Sequence, residues 1–196
     1  MDAFDRHRHA RQGTRELGAL FDRLPPHSIE AEMSLLGSMI LEPQVIADVI
    51  SRVHKAEAFY NEAHGAIFQS LIEIYDRYHS GDLVQLVDAL REKQQLDLVG
   101  GEEYLIRLAE AVPSATNAVH YARIVAEKFK LRRLIAAAGD ILYKSYHVQD
   151  LGPEGAQEVL DQAESQVFEI ASEESTNDPQ RLGDLLQIEI DRLETA

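Results

Sequence analysis

The side chains with the means to do acid–base or metal chemistry in this sequence are its 34 Asp and Glu residues and its eight histidines, at His7, His9, His27, His54, His64, His79, His120 and His147. A di-metal carboxylate centre on a helical scaffold needs inward glutamates and Glu-x-x-His pairs on facing helices. The residues three before His64, His120 and His147 are Asn61, Asn117 and Lys144, so that pattern is missing and the histidines read as surface or capping residues. Zero cysteines exclude disulfides, thiolate metal sites and cysteine nucleophiles. No Gly-x-Ser-x-Gly elbow, Gly-x-x-x-x-Gly-Lys-Ser/Thr phosphate loop or Gly-x-Gly-x-x-Gly fingerprint occurs, and nothing selects two of the many carboxylates as an acid and a base. We therefore expect no catalytic residue, no metal site and no bound cofactor in this chain. The local exception to its acidity is the run Lys128, Phe129, Lys130, Leu131, Arg132, Arg133, which fits either a contact to single-stranded DNA or an ion-paired helix side facing an acidic neighbour.

The charge balance sharpens that choice. Nineteen basic residues against 34 acidic ones give a net charge of −15, which argues against a surface that grips phosphates as a whole. The acidity is uneven: from Asp150 to Ala196 there are 13 acidic and 2 basic residues, a balance of −11 that leaves −4 for residues 1–149. With 45% hydrophobic residues the chain has material for a core. No apolar stretch approaches the ~20 residues of a membrane span, and the start lacks the apolar region of a secretory signal. The expectation is a cytoplasmic protein without a membrane partner.

The elements that must position any site are helices. Leu17, Leu20, Phe21 and Leu24 predict a short helix after Thr14, stopped by Pro25 and Pro26. Ser28 is placed to cap a helix carrying Ile29, Met33, Leu36 and Ile40, with Glu30 and Glu32 in its first turn. Pro43 introduces a helix with Val45, Ile46, Val49 and Ile50; Asn61 caps another with Ile67, Leu71, Ile74 and Tyr78, ended by Ser80 and Gly81. Leu83, Leu86, Val87 and Leu90 mark a fifth helix, and Tyr104, Leu105 and Leu108 a sixth after the Gly100-Gly101 turn. Beyond Pro113 the helical pattern runs unbroken from residue 117 to about His147, ~45 Å at 1.5 Å per residue. A reversal at 150–153 leads to a helix whose stripe is Ala156, Val159, Leu160, Ala163, Val167, Ile170 and Ala171. The fold class is all-α: an N-terminal extension (1–24), a globular helical subdomain (25–112), a long antiparallel hairpin (113–172), a flexible linker (173–180) and the start of a further helix (181–196).

The hairpin carries more apolar surface than one short partner helix can cover. Leu131, Leu134, Ile135, Ala138, Ile141 and Leu142 form one broad stripe, extended by Ala136, Ala137 and Gly139. Either the globular body covers the remainder or a second copy of the hairpin does, packed about a two-fold axis.

The segment PPHSIEAEMSLLGSMIL (25–41) resembles the opening of the N-terminal domain of bacterial replicative DNA helicases of the DnaB family. AFYNEAHGAIFQSL (58–71), DLVQLVDAL (82–90), VGGEEYL (99–105), PSATNAVHYARIVAEKFKLRRLI (113–135) and QAESQVFEIA (162–171) follow in family order, and RLGDLLQIEIDRLE (181–194) is similar to the family's linker helix. The turn between Gly81 and Asp82 is shorter than the family pattern, which bears on the loop at 79–83. The resemblance implies hairpins that pair head to head, three such dimers forming a collar on a hexameric ring, and a primase docking there through its C-terminal helical domain. It also implies a RecA-like ATPase motor, with its ATP and Mg, beyond the linker helix, so we expect the natural protein to continue past Ala196. On this reading Leu131, Ile135, Ala138 and Leu142 mediate self-association, with Leu160 and Val167 holding the hairpin. Glu30, Tyr104, Ile135 and Ile141 are the candidate primase contacts. Lys128, Lys130, Arg132 and Arg133 are the candidates for the alternative, a direct contact to single-stranded DNA.

Overall fold

In the computed structural model, which describes residues 23–148 and 154–175, every regular element is helical. In chain order these are α1 (Ile29–Leu41), α2 (Val45–Ile50), a 3₁₀ turn (Ala56–Ala58), α3 (Glu62–Tyr78), α4 (Leu83–Glu92), α5 (Gly101–Glu110), α6 (Ala118–Tyr146) and α7 (Gly155–Ser175). No helix among the described residues is long and apolar enough to cross a membrane.

Local chemistry sets the boundaries. Ser28 Oγ accepts from the Ala31 N–H at 3.3 Å and so caps α1, as expected. Asn61 Oδ1 accepts from the Ala63 N–H at 2.9 Å at the head of α3, and Asp82 Oδ1 from the Gln85 N–H at 2.9 Å at the head of α4. The end of α3 differs from the expected Ser80-Gly81 stop. His79 itself turns into the left-handed region, with φ of 52°, and its N–H bonds Tyr75 O at 2.7 Å. Gly81 is buried beside Ile46, Pro43 and Leu71 and does not take up the left-handed conformation that would end the helix. The helix anticipated at 14–24 lies almost wholly outside the described residues, as does the one at 181–196. The boundary at 172 is moved by α7, which runs on to Ser175.

The core gathers Leu35, Leu36 and Met39 of α1, Ile67, Phe68 and Leu71 of α3, Leu86 and Leu90 of α4, and Leu105 and Leu108 of α5. Into this body α6 inserts only its first half. Ala118, Ala122 and Val125 are buried there, two of them small enough for α6 to lie close along α1. Its second half packs against α7, so the long helix belongs to the globule at one end and to the hairpin at the other.

The hairpin seam is partly polar. Arg133 Nη2 donates to Glu169 Oε1 at 3.1 Å, and Gln166 Nε2 donates to Asp140 Oδ2 at 2.8 Å, with Ala137, Val159 and Ile170 buried between the helices. Lys144 and Gln166, by hydrogen bonding, hold the Asp140 carboxyl below its ordinary pKa. This corrects the expectation for Leu160 and Val167. They are 57% and 46% exposed, because α7 turns Val159 and Ile170 toward α6 and carries its other apolar row outward.

Candidate docking and self-association surfaces

Both helices of the hairpin expose large apolar side chains. On α6, Leu131, Leu134, Ile135 and Leu142 are all more than a third exposed, and Ala138 lies exposed between them. Ile141 is half-buried. On α7, Leu160, Val167 and Phe168 face outward, the last 73% exposed and absent from our sequence-based candidates. The body leaves this surface open. The spacing of Leu131, Ile135, Ala138 and Leu142 continues one stripe down the helix, which is the geometry a second helical hairpin would need.

A second surface lies at α5. Tyr104 is half-buried, and its hydroxyl meets His64 Nε2 at 2.6 Å. On the other side of the imidazole, Nδ1 lies 2.7 Å from Glu32 Oε2. Glu32 also accepts from the backbone N–H groups of Tyr60 at 2.7 Å and Asn61 at 3.3 Å. A carboxylate already taking two backbone donors acts as acceptor toward the ring as well, so a neutral imidazole carries its proton on Nδ1 and accepts from the tyrosine at Nε2. Burial raises the pKa of the Tyr104 hydroxyl, Arg107 opposes the rise and Glu32 adds to it. The chain Glu32–His64–Tyr104 thus joins α1, α3 and α5, with its first two members 2% and 0% exposed.

This overturns the reading of every histidine as a surface or capping residue. His79 does end α3 and His147 ends α6, but His64 is core. The pattern held a signal for it: His64 stands three and four positions before Ile67 and Phe68, on the inward face of α3, as Glu32 stands before Leu35 and Leu36 on α1. Glu30, by contrast, is exposed in the first turn of α1, where its carboxylate accepts from Ser28 Oγ at 3.4 Å.

The basic run divides. Arg132 donates to the carbonyl oxygens of Pro26 at 2.9 Å and Ala58 at 2.7 Å and lies over the rings of Tyr60 and Phe129. Burial lowers its pKa, against the pull of Glu32 and Tyr60. It is a clamp between α6 and the body, which removes it from the DNA candidates. Arg133 is ion-paired with Glu169, in agreement with the acidic-neighbour reading. Lys128 is half-buried. Lys130 and Arg133 also border a cleft of about 390 Å³ between the α2–3₁₀ loop, α6 and the end of α7, where Arg52, Lys55 and Arg123 join them.

A family model described as the DnaB-like helicase N terminal domain matches residues 24–127. The chain belongs to that family. Among curated relatives it is 36% identical over 173 residues to the replicative DNA helicase DnaB of Geobacillus stearothermophilus, covering 88% of this chain and 37% of that one. It is 37% identical over 176 residues to DnaB of Mycobacterium leprae, covering 89% of this chain and 28% of the relative. The chain therefore spans roughly a third of the relatives it matches. Among solved structures, the N-terminal domain of DnaB helicase from Mycobacterium tuberculosis superposes with a TM-score of 0.68 at 35% identity, over 75% of this chain and 99% of that one. A DnaB-like replicative helicase, in a structure showing its interactions with primase, matches with a TM-score of 0.58 at 24% identity, over 84% of this chain and 35% of that one, and supports the fold. This DnaB N-terminal domain is thus all-helical, in line with the sequence reading.

Proposed function

We propose that this domain is the assembly and docking module of a replicative helicase: it pairs with a second copy through its hairpin and presents a surface to primase during DNA replication. The observation that carries the reading is the outward apolar face of the hairpin, running from Leu131 through Ile135 to Leu142 on α6 and along Leu160, Val167 and Phe168 on α7. An apolar face of that length, left open by the described residues, is a surface for association. Three such pairs would form the collar of a hexamer. The ATP- and Mg-dependent motor would lie in the part of the relatives this chain does not span, and the setting would be the cytoplasmic replication fork. Primase is the proposed partner because the family resemblance points to Glu30, Tyr104, Ile135 and Ile141, and a structural neighbour is a helicase described with primase.

Sedimentation of the chain at micromolar concentration tests the assembly: a dimer or larger species is expected, and a lone 22.0 kDa species overturns it. For docking, titration with the cognate primase C-terminal domain is expected to show about tenfold or greater weakening by Tyr104→Ala, as for a buried aromatic contact; unchanged affinity removes Tyr104 from the surface.

A second reading, direct contact with single-stranded DNA, is favoured by one observation, the convergence of Arg52, Lys55, Arg123, Lys130 and Arg133 on one cleft. It predicts binding to an oligonucleotide that weakens steeply with salt and is lost on Arg123→Glu with Lys130→Glu. Absence of binding at low salt ends it.

A further inference from the structure

The buried chain Glu32–His64–Tyr104 is not needed to fill the core. An apolar trio of similar volume would pack there without the cost of taking a carboxylate and an imidazole out of water. Its polar line ends at a half-exposed aromatic ring on α5, and three further features fix that same ring. The imidazole and phenol planes are nearly parallel, 7° apart. The Arg107 guanidinium lies 5.3 Å from the ring centroid. Gly100, at φ of 98°, leaves the space a side chain would take: a Cβ there would sit 3.0 Å from Tyr104 Cβ and 3.1 Å from its Cγ. Glu32 is itself anchored by two backbone N–H groups, so the line is rigid from α1 outward.

We propose that His64, backed by Glu32, is a positioning residue for docking. It locks the Tyr104 ring in one pose and takes up its hydroxyl, so that a partner meets an aromatic ring with the Arg107 cation over it instead of a free hydroxyl. This deepens the docking reading above and rests on Tyr104 belonging to that surface. A surface ring whose motion is already frozen spares the partner the ordering cost of an immobilised side chain, about a three- to tenfold gain in affinity.

The test is a titration of the wild-type domain and five variants with the cognate primase C-terminal domain, at a temperature where each is folded by circular dichroism. Tyr104→Phe keeps the ring and loses the hydrogen bond. His64→Asn keeps a donor where Nδ1 stands but offers Tyr104 nothing, whereas His64→Gln restores an acceptor near the Nε2 position. Tyr104→Phe and His64→Asn are each expected to weaken docking about three- to tenfold, the double variant no further than either alone, and His64→Gln is expected to recover part of the loss. Additive losses, or wild-type affinity in Tyr104→Phe, overturn the proposal, as does a His64→Asn variant that lowers Tm without changing affinity. If Tyr104→Ala binds like wild type, the docking assignment of Tyr104 fails and takes this inference with it. Should the His64 variants not fold, Tyr104→Phe still decides: the flip rate of ring 104 by NMR must rise as affinity falls, and an unchanged flip rate overturns the lock.

Discussion

At the scale of single residues, the polar groups inside this domain tie elements together. Arg132 is the clearest case. Its guanidinium reaches two carbonyl oxygens far apart in sequence, Pro26 before α1 and Ala58 in the 3₁₀ turn, and its carbon lies over the rings of Tyr60 and Phe129. Removing it leaves two part-buried acceptors without their donor. Arg132→Met is expected to cost about 1.5–3 kcal/mol, read from the urea midpoint. Arg132→Lys should recover only part of this, since a single ammonium cannot serve both carbonyls in the fork geometry of arginine. A midpoint unchanged in Arg132→Met would return Arg132 to the candidates for a DNA contact. In the sequence Arg132 could not be told from Lys128 or Lys130, because its partners are 106 and 74 residues away. Glu32 and His64 posed the same difficulty at a separation of 32, although their places on inward helix faces were visible.

At the scale of elements, most helices were legible because caps and breakers are local. Ser28, Asn61 and the Gly100-Gly101 turn each act within a few residues of where they stand, and the unbroken run after Pro113 became α6. Which face of a helix turns inward was less legible when both faces are apolar. On α7 the rows through Val159 and Ile170 and through Leu160 and Val167 look alike in sequence, and only packing against α6 separates them. Close helix contact was hidden in the same way at Gly37. A Cβ built there collides with the Leu108 carbonyl oxygen of α5, a backbone atom that cannot turn aside. Gly37→Ala should therefore push α1 and α5 apart, at a cost of about 1–3 kcal/mol, despite the better helix propensity of alanine. Thermal unfolding checks it; a variant as stable as wild type would mean that α5 can shift freely against α1.

At the scale of the molecule, the division of α6 separates stability from assembly. Its first half is walled into the core, so the globule stands without the hairpin's outer face, whereas its second half exposes Leu131, Ile135 and Leu142 beside a seam held by Arg133 with Glu169 and by Asp140 with Gln166. If a second copy covers that face, folding and association are linked by mass action, and the midpoint of unfolding must rise with protein concentration. Ile135 sits mid-stripe and is 50% exposed, so a charge there is tolerated by the lone chain and excluded from a buried pair. Ile135→Glu is accordingly expected to leave the low-concentration Tm of wild type nearly unchanged, to abolish its rise with concentration and to shift sedimentation to a 22.0 kDa species. A wild-type Tm independent of concentration, or an Ile135→Glu variant that sediments as wild type does, would place the self-association surface elsewhere.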